Sequence, residues 1–385
     1  MNKLVNSRII RINSLKLSNY RNHEKLRINT DKNFILFYGP NGVGKTNILE
    51  AISILSSKSG FRNANLSSLV KNFDKKKIIN FGINFQIFSD NDPINIGIGL
   101  VEKQGKIQKF IKFENKNYKK KLGDILKVFW VLPNMNNLFS ANAKERRDFI
   151  DSMISSFDNI HKKRIKIYEN LQRQRISLLK EFTMNTQNLN WLNVIEKKMS
   201  SQAIIICEKR MHLFQSLNQI LKKQKEELPK IQIFANSKIE EQLIGTPALK
   251  IEDEISDKLF SNRKIDGLIG KTQYSAINSD FKIKNFDKNT DAKDCSTGEQ
   301  KVILLSIFFS FIKLLKHYKV TEIIFLLDDI FSNLDNRYVE LVLKSLRNLN
   351  IQTWITDIKM ETINRDSQVY EDTKFINIED MKMKN

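Results

Sequence analysis

The sequence predicts an α/β fold that carries an antiparallel β subdomain and an inserted helical arm. An apolar run at 34–38 leads into a glycine-rich loop and then an amphipathic segment, which is the order of a strand, a loop and a helix. Residues 78–113 alternate between apolar and polar side chains, as antiparallel strands do. Residues 158–228 hold almost no glycine or proline and repeat apolar side chains at helical spacing, which predicts the arm.

The chain length indicates more than one folding unit. At 385 residues the chain exceeds what one hydrophobic core usually serves, and 41% of its residues are apolar. No run approaches the ~20 apolar residues of a membrane span, and the first residues lack the apolar core of a signal peptide. Two distant cysteines, Cys207 and Cys295, favour a reducing compartment. We therefore expect a cytoplasmic protein with no membrane partner.

The formal net charge of +21 favours a polyanionic partner, because clustered lysine and arginine gain affinity by releasing counterions from phosphates. The chain is also rich in lysine, asparagine and isoleucine, so an AT-rich genome offers a second explanation for the surface lysines. Charge by itself therefore suggests a nucleic acid as partner without deciding it.

The glycine-rich loop has the G-x-x-x-x-G-K-[ST] pattern of a phosphate-binding loop. Glycines let backbone N–H groups converge on phosphate oxygens, and the start of the following helix adds its positive dipole. Lys45 is expected to neutralise the β- and γ-phosphates, and the Thr46 hydroxyl to bind Mg²⁺. An ordinary glycine-rich turn is the alternative, but strand and helix flank the loop in the required order. The predicted nucleotide-binding residues are Gly39, Pro40, Asn41, Gly42, Val43, Gly44, Lys45, Thr46 and Asn47.

Short apolar or alternating runs predict the remaining elements. Arg62, in the turn after the loop helix, and the basic run 116–121 are each open to two interpretations, a binding contact and a solvated loop. Strands are predicted at 9–17, 25–28, 33–38, 128–132, 230–234, 323–327 and 351–356, and alternation returns at 274–284. Helices are predicted at 48–55, 143–151, 239–260 and 302–315, and two long helices joined near 183–190 form the arm.

The apolar stripe of the arm is expected to pack helix against helix rather than to bind a ligand. The basic clusters at 161–166 and 222–225 are assigned to the polar face, where a solvated surface and a binding surface are equally compatible with them. The stripe consists of Ile160, Ile167, Leu171, Leu178, Met199, Ile206, Leu213, Leu217 and Ile220.

A second set of polar residues lies further along the chain. Ser296 and Gly298 form a Ser-x-Gly turn before an apolar helix, which is an anion-binding device or a plain helix cap. The buried strand predicted at 323–327 is followed by Asp328 and Asp329. A carboxylate at that place suits Mg²⁺, and its neighbour can orient or deprotonate an attacking water. Each feature alone is common, but the ordered set with the phosphate-binding loop is not.

With these motifs in place, the chain resembles the ABC-type ATPases, in the branch shared with SMC-like DNA proteins, and most closely the RecF family of recombination mediators. The resemblance spans nearly the whole chain, including an arm far shorter than an SMC coiled coil. It implies an ABC-type P-loop ATPase head with an antiparallel β subdomain and an inserted helical arm lobe, with the head at 1–155 and 273–385 and the arm at 156–272. The stretches that carry it are 19–22, 39–46, 60–62, 145–151, 295–301 and 326–335.

The resemblance also implies a site shared by two subunits that dimerise head to tail on ATP. Asp328 would support Mg²⁺ together with Thr46, and Asp329 would occupy the catalytic-base position in a site that also uses Lys45. The residues that the second subunit would contribute are Ser296, Gly298, Glu299 and Asp335.

Three departures from the family pattern leave parts of this site open. Asp329 stands where the wider ABC class has glutamate, which predicts slow hydrolysis. Asp357 follows the strand at 351–356 with no histidine where many ABC ATPases carry one, so no γ-phosphate sensor is assigned. The Gly-Pro-His-Arg-x-Asp stretch of the family is not intact at 270–280, and no role is carried over there.

The resemblance finally implies an ATP- and Mg²⁺-dependent DNA-binding protein. It would form an ATP-dependent homodimer on duplex DNA near gaps or junctions, leave the DNA after hydrolysis, and help the mediator proteins RecR and RecO to load a recombinase. Three alternatives stay open: a nucleotide-gated clamp that scarcely hydrolyses ATP, an ABC transporter subunit and a nuclease-linked ATPase. The arm counts against the transporter, and the short tail at 359–385 counts against the nuclease.

Overall fold

The computed structural model describes residues 10–56, 60–71, 78, 80–89, 92–114, 122–180, 186–224 and 228–383. The basic run predicted at 116–121 lies outside these residues. The strands are β1 (Arg11–Tyr20), β2 (His23–Asn29), β3 (Phe34–Tyr38), β4 (Gly82–Ser89), β5 (Asp92–Lys103), β6 (Lys106–Phe113), β7 (Lys127–Val131), β8 (Ile231–Ala235), β9 (Phe281–Asn285), β10 (Thr290–Asp291), β11 (Ile323–Asp328), β12 (Gln352–Thr356) and β13 (Thr373–Asn377). The α-helices are α1 (Lys45–Ser53), α2 (Leu122–Ile125), α3 (Ala143–Phe157), α4 (His161–Lys180), α5 (Thr186–Lys222), α6 (Lys238–Gln242), α7 (Ala248–Ser261), α8 (Arg263–Ile269), α9 (Thr297–His317), α10 (Asn336–Leu349) and α11 (Ile378–Met383).

A parallel sheet with the strand order β13-β3-β12-β11-β7 carries the predicted phosphate-binding loop. Its strands β3 and β11 are near-continuous apolar runs, and β12 is buried throughout although it includes Gln352, Thr353 and Thr356, as expected for a sheet that is covered on both faces. The neighbouring strands β3, β12 and β11 end side by side at Tyr38, Thr356 and Asp328. The loops that follow these strands therefore meet at the carboxyl edge of the sheet, which is where α/β proteins bind ligands.

An antiparallel sheet with the order β2-β1-β4-β5-β6 confirms the predicted β subdomain. The alternation predicted at 78–113 forms β4 to β6, and the first two predicted strands join the same sheet. One face of the sheet is buried and belongs to the same apolar cluster as one side of α1. Members of this cluster are Leu15, Leu17, Ile83, Phe85, Ile96 and Ile98 from the sheet, and Ile48, Leu49 and Ile52 from α1.

The contacts divide the chain into two compact units, Met1–Met135 with Leu315–Asn385 and Asn136–Leu314. The first unit holds both five-stranded sheets, and the second holds the arm, the antiparallel sheet β10-β9-β8 and most of α9. The sequence predicts boundaries after residues 155 and 272 instead. The division differs because α3 packs on α4 and α5, and β9 pairs with β8, so both flanking segments belong to the unit of the arm.

The two long helices of the arm are confirmed as α4 and α5, but the predicted stripe is only partly correct. Ile160 and Ile167 are 54% and 50% exposed, and the buried residues of α4 are His161, Tyr168 and Arg175. The periodicity missed them because a count of apolar side chains ignores buried polar ones. On α5 the stripe is buried as predicted at Met199, Ile206, Leu213 and Leu217.

Ion pairs inside the arm unit explain these buried polar residues. His161 Nε2 lies 2.9 Å from Asp151 Oδ1, and the same carboxylate accepts two hydrogen bonds from Arg210 at 2.9 and 2.7 Å. Burial raises the pKa of Asp151, but His161 and Arg210 outweigh it, so the pKa is lower than usual. The predicted place of His161 on the polar face is therefore wrong, because its partner holds it inside.

Two further elements differ from the sequence prediction. The helix predicted at 239–260 is divided into α6 and α7, because Gly245 adopts a φ of +96° and Pro247 precedes α7. The alternation predicted at 274–284 gives only the strand β9, preceded by a single 3₁₀ turn at Ala276–Asn278. The alternating pattern thus overestimates the extent of the strand.

Candidate nucleotide-binding site

The predicted phosphate-binding loop connects β3 to α1, as the sequence predicts. Gly39, Gly42 and Gly44 have φ values of +133°, +85° and +107°, which L-residues with a side chain rarely adopt. Gly44 has a second constraint, because a Cβ atom there would lie 2.5 Å from the Asn22 side chain and 2.7 Å from His23 Nε2. The glycines are therefore required by the backbone itself and, at Gly44, by the close approach of the β1–β2 hairpin.

Lys45, the first residue of α1, is buried and points back along the loop. Its Nζ donates hydrogen bonds to the backbone carbonyls of Gly39 at 2.6 Å and Pro40 at 2.8 Å. Burial lowers the pKa of Lys45 more than the surrounding carboxylates, of which Asp329 acts most strongly, raise it. The ammonium group is thus held at the mouth of the loop and faces the carboxylates that follow the neighbouring strands.

Thr46 and Asp328 are in direct contact. The Thr46 Oγ1 donates to Asp328 Oδ1 at 2.9 Å, and the Thr356 Oγ1 donates to the same oxygen at 2.7 Å. Hydroxyl and carboxylate oxygens are the ligands that Mg²⁺ prefers, and in nucleotide sites it commonly uses one or two protein groups together with phosphates and waters. The donor set of Thr46 and Asp328 therefore fits the predicted magnesium site.

Asp329 begins the loop after β11 in the left-handed conformation, with a φ of +46°. Its backbone N–H donates to the Thr356 carbonyl at 3.2 Å and to the Thr356 hydroxyl at 3.0 Å, and its carbonyl accepts a hydrogen bond from Ser332. Aspartate tolerates this backbone conformation better than most residues. Thr356 therefore holds both predicted acidic residues: it contacts the side-chain carboxylate of Asp328 and the backbone N–H of Asp329.

The β1–β2 hairpin supports the loop from one side. The Asn22 side chain donates to the Val43 carbonyl at 2.9 Å, and His23 Nε2 lies 3.2 Å from the Gly44 carbonyl. Below the loop, the fully buried Glu50 accepts two hydrogen bonds from Arg21, at 2.8 and 2.6 Å. This pairing joins the hairpin to α1, and it gives the stretch 19–22 a structural role.

Tyr20 completes the environment of Glu50. Its hydroxyl donates to Glu50 Oε2 at 3.2 Å, and burial together with the negative charge of Glu50 raises the pKa of Tyr20. Arg62 also contacts α1: its guanidinium donates to Asn47 Oδ1 at 2.8 Å and stands 3.9 Å from Glu50 Oε2. The Arg62 side chain is 42% exposed, so it is both anchored to the loop helix and accessible.

Ser296 and Glu299 form a reciprocal cap at the start of α9. The Glu299 carboxylate accepts from the Ser296 N–H at 3.0 Å and from its hydroxyl at 2.9 Å, and the Ser296 Oγ accepts from the Glu299 N–H at 3.4 Å. Lys288 donates to the other Glu299 oxygen, which lowers the pKa of Glu299. Ser296 remains exposed and Gly298 half-buried, so the turn is a formed helix cap at the protein surface.

The predicted site residues fall into two groups. Lys45, Thr46, Asp328 and Asp329 meet at the carboxyl edge of the parallel sheet in the first unit. Asp335 lies in the same unit at the start of α10, where its exposed side chain makes no capping hydrogen bond. The second group, Ser296, Gly298 and Glu299, belongs to the other compact unit.

Comparison with known proteins decides the family. The family model described as the RecF/RecN/SMC N terminal domain matches residues 11–377. The DNA replication and repair protein RecF of Rickettsia conorii is 31% identical over 361 residues, which covers 92% of this chain and 96% of the relative. The chain belongs to the RecF branch of this family. RecF of Rickettsia rickettsii (strain Sheila Smith) is also 31% identical, over 360 residues.

Solved structures support the same fold. The structure of the recombination mediator protein RecF-ATPrS in the RecFOR pathway has a TM-score of 0.73 and 22% identity, and the match covers 96% of this chain and 97% of that chain. The corresponding RecF-ATP structure has a TM-score of 0.71 and 21% identity. The predicted α/β fold of a RecF-type ABC ATPase head with a helical arm is therefore confirmed.

Some residues of this site were not predicted from the sequence. Thr356 was seen only as the end of a strand, although the pairing of β11 with β12 places it opposite Asp328. Glu50 has no predicted role, because its partner Arg21 lies 29 residues away in the sequence. Within the described ranges, no helix is long and apolar enough to cross a membrane, and no cluster of three or more His, Cys, Asp or Glu side chains forms a metal site.

Proposed function

We propose that this chain is an ATP-dependent DNA-binding protein of the RecF type that acts in recombinational repair and replication restart. The observation that carries the proposal is the contact between Thr46 and Asp328 beside the buried Lys45. This contact joins the phosphate-binding loop to the end of β11, as a site for a nucleotide with a divalent cation requires. The relatives named RecF support the DNA-related part of the proposal.

ATP and Mg²⁺ are the proposed ligands of the site. Backbone N–H groups of the loop 39–44 and the N-terminus of α1 would hold the phosphates, and Lys45 would move from the loop carbonyls to a phosphate oxygen. Mg²⁺ would be held by Thr46 and Asp328, and when bound it neutralises charge on the phosphates. Asp329 would orient or deprotonate the attacking water.

Hydrolysis at this site is proposed to be slow and to act as a switch that releases DNA. The carboxylate of Asp329 is one methylene shorter than the glutamate of the wider ABC class, and the hydrogen bonds to Thr356 hold its backbone in place. A shorter side chain on a fixed backbone reaches the attacking water less well, and a displacement of about 1 Å can cost on the order of 100-fold in rate. Rapid multiple turnover in the presence of saturating DNA would contradict this part of the proposal.

The second half of the site is proposed to come from another copy of the chain. In a head-to-tail dimer, Ser296 and Gly298 would close over the γ-phosphate, with Glu299 and Asp335 at the interface. The exposed Ser296 at the start of α9, capped by Glu299, presents a helix N-terminus that favours an anion. ATP would thereby control dimerisation, and Arg62 is a further candidate for a contact with the nucleotide or the interface.

Duplex DNA near gaps or junctions is the proposed macromolecular ligand, with the mediator proteins RecR and RecO as protein partners in loading a recombinase. The net charge of +21 supports a polyanionic ligand. Most contacts would be made to the DNA backbone, so salt should weaken binding steeply and base sequence should matter little. A similar affinity at low and at physiological salt would contradict the electrostatic part of this proposal.

Nucleotide binding is tested first, by titrating a fluorescent ATP analogue with Mg²⁺ against wild type, Lys45→Ala and the exposed control Lys319→Ala. We expect loss of binding in Lys45→Ala only, because this side chain alone of the two lies at the loop. Equal affinities in all three proteins would overturn the assignment of the loop.

Dimerisation is tested by light scattering with ATP and Mg²⁺. Ser296→Arg should bind nucleotide as a monomer but fail to dimerise, whereas the control Ser261→Arg, at another exposed serine of the same unit, should dimerise like wild type. An intact ATP-dependent dimer of Ser296→Arg would refute the shared site. A clamp that dimerises on ATP without measurable turnover would instead support the non-hydrolysing alternative.

A further inference from the structure

The face of the antiparallel sheet turned away from the apolar core has a regular arrangement of charge; we call it the outer face. The strand registers place Arg27 opposite Lys16, Lys16 opposite Asn84, Asn84 opposite Gly97, and Gly97 opposite Lys112. These five residues thus form one row across all five strands. The residues on either side of each of the first four are buried, so the row lies on the solvent side of the sheet.

The outer face is cationic at both margins. Lys16, Arg27 and Lys112 are exposed, and within the described ranges they make no ion pair. By the same alternation Lys25 lies on β2 beside Arg27, and Lys106 lies on β6 beyond Lys112. Among the described residues of these strands and the residue that follows β6, one carboxylate shares this face: it is Glu114, to which Asn95 donates a hydrogen bond.

The middle of the row, Asn84 and Gly97, carries no charged side chain. Gly97 contributes no side chain, and the Asn84 amide lies over it, 3.2 Å from where a Cβ atom would be. Gly99 is covered by the ring of Phe110, which is itself 48% exposed. At Gly97 a polyanion could therefore approach the sheet between two positively charged margins, with the Phe110 ring over the neighbouring Gly99.

The distance between the margins matches a duplex. Neighbouring strands lie about 4.8 Å apart, so Lys16 and Arg27 are separated from Lys112 by roughly 14 and 19 Å. The two phosphate rims of B-DNA face each other across a major groove that is about 12 Å wide between their surfaces. A single strand has one phosphate backbone and would use one margin at a time.

We propose that this outer face binds the phosphate backbones of duplex DNA, with one rim of a groove on Lys16 and Arg27 and the other on Lys112. The inference rests on the proposed function, because it assigns a surface to the DNA binding proposed above. It adds a binding surface that is separate from the nucleotide loop: Leu15 and Leu17, the neighbours of Lys16, belong to the core shared with α1, whereas Lys16 faces away from it.

Edge protection is the ordinary role of lysine on such strands, because charge discourages sheets from pairing edge to edge. That role accounts for charges on the edge strands β2 and β6. It does not account for Lys16, which lies on the inner strand β1 between β2 and β4.

The test compares a Lys16→Gln/Arg27→Gln/Lys112→Gln variant with a Lys319→Gln/Lys344→Gln/Arg365→Gln control. Both variants lose two lysines and one arginine from exposed positions of the same compact unit. Binding to a 30-base-pair duplex and to a single strand of equal length is measured by fluorescence anisotropy from 50 to 200 mM salt, with ATP and Mg²⁺. Circular dichroism and binding of the ATP analogue check that both variants are folded.

We expect the slope of log K against log salt for duplex to become less steep by about 2.7 in the outer-face variant, at 0.9 per lost phosphate contact. A fourfold rise in salt would then weaken the variant about 40-fold less than wild type. The control should keep the wild-type slope. An unchanged slope in the outer-face variant, an equal change in the control, or a larger change for single strand than for duplex would each overturn the inference.

Two further results separate this inference from the proposed function. If wild type fails to bind duplex with or without ATP, the proposed DNA-binding function itself is wrong. If wild type binds duplex and the outer-face variant keeps its slope, only this inference is wrong. Vesicles with anionic lipid serve as the remaining probe, and loss of vesicle binding without a change in duplex binding would assign the face to a membrane surface instead.

Discussion

The ion pair between Arg21 and Glu50 offers the most direct test of how the hairpin supports the nucleotide loop. Glu50 is fully buried and accepts two hydrogen bonds from Arg21 and one from the Tyr20 hydroxyl, and the Arg62 guanidinium stands 3.9 Å from its Oε2. Arg21 also donates to the Ser68 carbonyl. Replacing Arg21 by methionine keeps most of the side-chain volume and removes the positive charge, which leaves a buried carboxylate with one hydrogen bond.

The expected loss follows from this geometry. Removing one partner of a buried ion pair costs about 3–5 kcal/mol, because the remaining charge is left uncompensated. Arg21 is 19% exposed, and Glu50 keeps the Tyr20 hydroxyl and the partly exposed Arg62 at 3.9 Å, so we expect the lower end of this range, about 3 kcal/mol, in Arg21→Met. For a unit of this size the melting temperature should fall by about 6–12 °C. Affinity for MgATP should fall as well, because the hairpin also holds the loop.

The measurement is thermal unfolding of Arg21→Met, of Arg21→Met/Glu50→Met and of the exposed control Arg347→Met. The double variant removes both charges and should be more stable than Arg21→Met, since no charge is left buried. The control should change the free energy of unfolding by less than about 0.5 kcal/mol. If Arg21→Met melts like the control, or if the double variant is no more stable than Arg21→Met, the buried charge is not what makes this pair necessary.

Three further predictions concern the acidic residues. Thr356→Val removes a hydrogen bond to the Asp328 carboxylate, which contributes about 1.5–3 kcal/mol. In titrations, the variant should bind MgATP about 10-fold or more weakly than wild type but bind Mg²⁺-free ATP equally well. Equal effects with and without Mg²⁺ would contradict this role. Asp329→Asn should slow release from DNA in stopped-flow assays, and wild-type dissociation would remove it from the catalytic role. Arg146 donates two hydrogen bonds to Asp280, each at 2.7 Å. Burial raises the pKa of Asp280, but the hydrogen bonds and the charge of Arg146 outweigh burial, so the pKa lies below its usual value of 3.8. This stabilisation is present above about pH 4 and lost as the pH falls through the lowered pKa. The melting temperatures of wild type and Arg146→Gln should therefore differ at pH 6, and the difference should shrink as the pH falls below about 4; a constant difference would refute the linkage.

Much of the fold was predictable because its signals are local. The strand, loop and helix around Gly39 to Thr46 follow from an apolar run, glycines and an amphipathic segment that are adjacent in the chain. The antiparallel sheet follows from alternation alone. The helical arm was predictable in extent but not in packing, because His161 and Arg175 are buried by partners that lie far away in the sequence. Periodicity records which side chains are apolar, and it cannot record which charges are paired.

The candidate site shows the same limit. Lys45, Thr46, Asp328 and Asp329 were predicted from motif and resemblance, and the contact between Thr46 and Asp328 agrees with the predicted magnesium site. Thr356 was not predicted, because its role depends on the parallel pairing of β11 with β12 rather than on its neighbours in the chain. The shared arrangement with Ser296 and Gly298 stays a prediction.

The sequence by itself determined the phosphate-binding loop, the acidic end of β11, the antiparallel strands of the β subdomain and the basic character of the chain, since each depends on residue types at short spacing. Only the tertiary structure decided that the hairpin residues Arg21 and Asn22 hold the loop, and that Thr356 fixes Asp328. It also decided that Arg27, Lys16 and Lys112 lie in one row, although they span more than ninety positions. The physical reason is that strand pairing and ion pairing are set by which distant segments pack together, and no local pattern of side chains specifies that choice.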